Sequence, residues 1–77
     1  MLTKPQWKLL KAIAISGRVY HPTSSDFMAR HYLGGSATVL RSLHFLLKKE
    51  FIYQENDEEG NLNYGVYDVL FSRWISD

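Results

Sequence analysis

The sequence predicts an α+β fold, mainly helical: three helices, then a two-stranded antiparallel hairpin, then a short helix at the C-terminus. Three observations predict it. Apolar residues recur at helical spacing as far as Lys49. From Phe51 the residues become aromatic and β-branched, as in strands. Clusters of Gly, Ser, Thr and Asp punctuate the chain between those stretches. With 77 residues and no cysteine, the chain has room for one modest core and no disulfide framework or thiolate metal site.

The first helix opens at Thr3-Lys4-Pro5-Gln6. Thr3 is a capping residue, Pro5 suits the first turn, and Gln6 completes a capping box. Trp7, Leu10, Ile13 and Ala14 then recur at helical spacing, Leu9 widens the stripe, and Gly17 stops it. Lys4, Lys8 and Lys11 share the opposite side, which reads first as a solvated face and second as a phosphate contact. Arg18 to Pro22 is short and extended, because Pro22 disfavours helix at His21; it suits a one-rung edge strand. Thr23-Ser24-Ser25-Asp26 reads as a second capping box, opening a helix that runs to about Tyr32 with Phe27, Met28, His31 and Tyr32 on its apolar arc. Leu33-Gly34-Gly35 breaks it.

The stretch Ser36 to Lys49 organises the rest. Ser36 is expected to cap a third helix. At about 100° per residue, Val39, Leu40, Leu43, Leu46 and Leu47 fall on one arc, and Ala37, Thr38, Arg41, His44, Phe45 and Lys48 on the other. Two helices joined by a Gly-bearing turn make a helix-turn-helix. Phe51 to Gln54 reads as a strand, Asn56 to Asn61 as a turn cluster, and Leu62 to Tyr67 as the return strand. Asp68 to Ile75 regains helical spacing, with Asp68 as cap and Leu70, Phe71 and Trp74 on one face. A two-stranded hairpin is marginal alone and needs the helical surface to pack on. The layout is that of a winged helix-turn-helix: three helices, a hairpin wing and a short C-terminal helix. Its expected core is Trp7, Leu10, Phe27, Val39, Leu43, Leu46, Ile52 and Val66.

Three motifs spread over nearly the whole chain match a known family. The opening has Thr3, Gln6, Trp7, Leu9, Leu10, Ala12, Ile13 and Ala14 in the pattern Thr-x-x-Gln-Trp-x-Leu-Leu-x-Ala-Ile-Ala. The middle has Gly35, Ser36, Val39, Arg41, Leu43 and Leu46. The ending, the most specific part, has Tyr64, Val66, Asp68, Phe71, Trp74 and Ile75. On these residues the chain resembles the C-terminal winged-helix domain of prokaryotic AAA-like ATPases. The resemblance implies that residues 1–77 form a single winged-helix domain, a fragment of a longer ATPase-like protein whose nucleotide-binding domain lies upstream, with DNA binding as its role by analogy.

The charge balance points the same way. Residues 1–50 hold eight Lys and Arg against Asp26 and Glu50, a balance of +6; residues 51–77 stand at −5. A basic helical half suggests a polyanionic partner such as double-stranded DNA. The candidate DNA contacts are Ser36, Thr38, Arg41, His44 and Lys48, one face of the third helix entering the major groove. Ser36 and Thr38 would meet phosphate, Arg41 a base edge such as guanine, and Lys48 the backbone. Against it stand the acidic tip at Asp57, Glu58 and Glu59, Phe45 on the outer face, and the modest positive charge. The alternative is a protein-interaction module, docking on its own ATPase domain or on a partner protein through Phe45, Tyr53, Glu58 and Glu59. No catalytic residue, metal site or cofactor is expected. The three histidines lie on separate elements, Ser24-Ser25-Asp26 is a cap rather than a nucleophile with its base, and no Gly-rich phosphate loop is present. No apolar run approaches a membrane span and the N-terminus shows no signal peptide, so a cytoplasmic location is the expectation.

Overall fold

The Thr3 hydroxyl accepts from the Gln6 N–H at 3.4 Å, and the Gln6 side-chain oxygen accepts from the Thr3 N–H at 2.9 Å. This reciprocal box starts helix α1, Lys4–Ser16. The computed structural model describes residues 2–67. Helices α2 (Ser25–Arg30) and α3 (Ser36–Lys48) follow, then strands β1 (Ile52–Asn56) and β2 (Leu62–Val66). The expected C-terminal helix at Asp68 to Ile75 lies outside the described residues.

The wing is antiparallel, with Ile52 opposite Val66 and Asn56 opposite Leu62. The one-rung strand expected at Arg18 to Pro22 is present. Val19 and Tyr64 exchange both backbone hydrogen bonds, at 2.9 and 2.8 Å, so β2 is flanked on both sides. Leu9, Leu10 and Ile13 of α1, Val39, Leu43 and Leu46 of α3, Phe27, and Ile52 form one buried cluster. Of the expected core, Trp7 and Val66 sit at its margin; Val19 and Leu33 belong to it and were not expected.

Two helix starts differ from expectation. The cap of α2 is Ser24, whose hydroxyl accepts from the Phe27 N–H at 3.2 Å; Thr23 is not the cap, and Asp26 pairs instead with Arg30 at 2.7 Å, one turn along the helix. The cap of α3 is Gly35, with no side-chain hydrogen bond, so Ser36 is the first helical residue rather than the cap. Gly34 (φ 86°) turns the chain, and the helix begins immediately after the second glycine.

The end of α2 is also earlier than expected. The Leu33 N–H donates to the Met28 carbonyl at 2.9 Å and the Tyr32 N–H to the Ala29 carbonyl at 3.4 Å. That is a Schellman ending, in which the residue after the cap is left-handed and the next apolar residue packs back on the last turn. Here the left-handed residue is Tyr32 (φ 55°), so it points outward, 80% exposed, while Leu33 takes the core position. The end of α3 repeats the motif with Glu50 (φ 62°) left-handed and the Phe51 N–H on the Leu46 carbonyl at 2.9 Å.

Candidate nucleic-acid interface

Helix α3 buries Val39, Ser42, Leu43 and Leu46. Phe45 flanks this arc on one side and Leu47 on the other, both half-buried against the core. Two sequence assignments change as a result. Phe45 is not on the outer face, and Leu40 is not inside: it is 43% exposed. Periodicity places both residues on the flanks of the arc but does not say which flank has a neighbour to cover it.

The exposed face of α3 therefore holds Ala37, Leu40, Arg41, His44 and Lys48, with Ser36 at its start. Arg41, His44 and Lys48 recur at three- and four-residue steps, one above another along the helix. Among the described residues none of them has an ion-pair partner; the described pairs are Arg18–Glu55 at 3.5 Å and Arg30–Asp26. Among the described residues the face is thus cationic, unpaired and open. Thr38 is separate from it. It is half-buried and lines a recess between α1 and the helix-turn-helix turn, with Lys4, Lys8 and Tyr32.

The wing presents the opposite sign. Asp57 closes the loop: one of its carboxylate oxygens accepts from the Glu59 and Asn61 N–H groups, each at 2.9 Å. The Asn61 N–H chiefly, then those of Glu59 and the Tyr20 hydroxyl, hold this carboxyl below its ordinary value of 3.8 against a partial loss of hydration. Glu58 and Glu59 stand exposed at the tip, and with Arg18, Glu55 and Asp57 they line an open hollow of about 540 Å³. Tyr53 is half-buried and packs edge-on to Tyr67 with ring centroids 5.2 Å apart. Among the described residues no group of His, Asp or Glu is arranged to hold a metal ion, and no helix is long and apolar enough to cross a membrane.

The family model described as "probable winged helix domain" matches residues 1–77. The chain belongs to this winged-helix family. No curated protein matches the sequence. The winged-helix assignment accounts for the order helix, helix-turn-helix, hairpin, and among the described residues α3 is the element whose outer face is left free. Sequence reasoning missed Tyr32 and Leu40 as surface residues of this winged helix. The Schellman ending was the available signal for the first, since an apolar residue directly before Gly-Gly can be the one that packs back.

Proposed function

We propose that this winged-helix domain binds duplex DNA through α3, as the nucleic-acid-binding module of a longer ATPase-like protein. The observation that carries the proposal is the unpaired cationic face of α3. Arg41 lies in its middle turns and supplies a planar two-pronged donor suited to guanine O6 and N7. Lys48 lies farther along the same side, suited to phosphate, and His44 stands between them. Ser36 is exposed at the helix start, where groove-entering helices approach the backbone. The acidic wing tip would be repelled by phosphate, so the wing braces α3 and stays off the duplex.

Docking on a partner protein fits less well. Two of its four candidate residues, Phe45 and Tyr53, are half-buried in contacts within the domain itself. The membership of a longer ATPase-like protein rests on the resemblance of the opening and the Tyr64 to Ile75 ending; a phosphate-binding loop encoded upstream would establish it.

The test is a salt titration of the chain on duplex DNA, followed by fluorescence anisotropy. Binding is expected to weaken with salt, and Arg41→Ala to cost about tenfold while relaxing sequence preference. Absence of binding at low salt would refute the proposal.

A further inference from the structure

Beyond the α3 face, a second cationic feature stands next to it. Lys4 and Lys8 of α1 lie across from Tyr32 and Thr38 in an open recess of about 270 Å³. The two lysines are one helical turn apart, and α1 contains no acidic residue. Neither has an ion-pair partner among the described residues. Like charges at this spacing repel one another, and an anion between them removes that repulsion. The same side of α1 continues to Lys11.

Tyr32 adds an independent observation. It occupies the left-handed position of the α2 ending, where glycine is free of strain, and its ring is 80% exposed. A strained position that carries a large exposed side chain is where function and stability pull apart. Tyr32, Thr38, Lys4 and Lys8 all line one recess beside the start of α3, and each of these side chains carries a hydrogen-bond donor.

We propose that this recess seats a backbone phosphate of the duplex that α3 enters, clamping the strand that borders the groove. Lys4 and Lys8 neutralise it, and Tyr32 and Thr38 donate to its oxygens. Thr38 thereby remains a phosphate contact, made from the recess rather than from the groove. The inference rests on the DNA reading, and its test separates the two.

Four proteins are compared across a salt series on several duplex sequences: the parent chain, Lys4→Gln/Lys8→Gln, Tyr32→Gly and Arg41→Ala. Removing both lysines should flatten the slope of log K against log salt by about 0.9, the share of one phosphate, and weaken every sequence alike. Tyr32→Gly should raise the thermal midpoint, by relieving the left-handed backbone, yet weaken DNA binding about fivefold. That opposed pair of changes is not produced by a structural defect. If the lysine variant keeps the parent slope, or Tyr32→Gly binds as the parent does, while Arg41→Ala still weakens binding, the clamp is refuted and the α3 reading stands. If the parent binds no duplex at low salt, both fall.

Discussion

Gly65 of β2 lies directly opposite Tyr53 of β1. A Cβ placed on Gly65 would stand 2.7 Å from the Tyr53 hydroxyl oxygen and 2.9 Å from the ring carbon bearing it. The tyrosine therefore lies across the glycine, and it is held there edge-on to Tyr67 at 5.2 Å. Gly65→Ala must push the ring aside. Overpacking of this kind costs about 1–3 kcal/mol, and disturbing the tyrosine pair costs about 0.5–1.5 kcal/mol where the geometry is lost. The alanine returns about 0.4–1 kcal/mol by restricting the unfolded chain. The net expectation is a loss of about 1–2 kcal/mol, a fall of roughly 5–15 °C in the thermal midpoint for a domain of this size. In a Tyr53→Ala background the obstacle is gone, so Gly65→Ala should stabilise by about 0.5 kcal/mol. Urea denaturation of the four proteins of this cycle, followed by circular dichroism, gives the coupling, expected at about 1.5 kcal/mol or more. An equal cost of Gly65→Ala in both backgrounds would show that Tyr53 does not cover the glycine.

Three further outcomes follow from the structure. Glu50 is exposed and left-handed at φ 62°, so Glu50→Gly should stabilise the domain by about 0.5–1 kcal/mol despite glycine's freer unfolded chain, as read by the shift in denaturation midpoint. The Asp57 carboxyl is lowered by folding, so its contribution is present above its unfolded value and is lost as pH falls through the folded one. The Glu59 and Asn61 amide resonances should therefore move below about pH 4 in the native chain, and stay still in Asp57→Asn. Glu58→Lys/Glu59→Lys should tighten duplex binding and steepen its salt dependence, measured by anisotropy; an unchanged slope would mean that the tip lies outside the field of the bound duplex.

The elements themselves were legible in the sequence because each has a local cause. Thr3 and Gln6 close their box without help from the rest of the chain, and the change of residue type at Phe51 marks the wing wherever the wing packs. What was not legible depends on neighbours distant in sequence. Val19 is buried because Tyr64 reaches it from β2, and Phe45 rather than Leu40 is covered because of what surrounds α3. Tyr32 and Leu33 exchange roles for a backbone reason. The Schellman ending turns one residue outward and the next inward, which a continuous helical wheel cannot represent. The candidate site divides in the same way. Arg41, His44 and Lys48 were placed by periodicity alone, whereas the recess that takes Thr38 exists only once α1 lies beside the helix-turn-helix turn.

On the proposed DNA reading, the charge arrangement also sets how strongly the domain can hold a duplex. Arg18 is committed to Glu55 and Arg30 to Asp26, so neither is free to replace a counterion without first breaking a pair. Among the described residues, the cations of α1 and α3 without an ion-pair partner are Lys4, Lys8, Lys11, Arg41 and Lys48; the proposed reading sets Lys4 and Lys8 on one phosphate, Lys48 on another and Arg41 on a base edge. Two phosphate neutralisations, one at the recess and one at Lys48, give a slope of about −1.8, and hence a loss of roughly 12-fold in affinity between 50 and 200 mM salt. A wing bearing lysines would add to that number; this wing, with Glu58 and Glu59 at its tip, subtracts from it. On the proposed DNA reading, contact of the lone domain with a duplex is therefore weak. Useful occupancy at physiological salt then calls for several copies acting together on one duplex or for a tether to another binding unit, because linking weak sites multiplies affinity without any new contact.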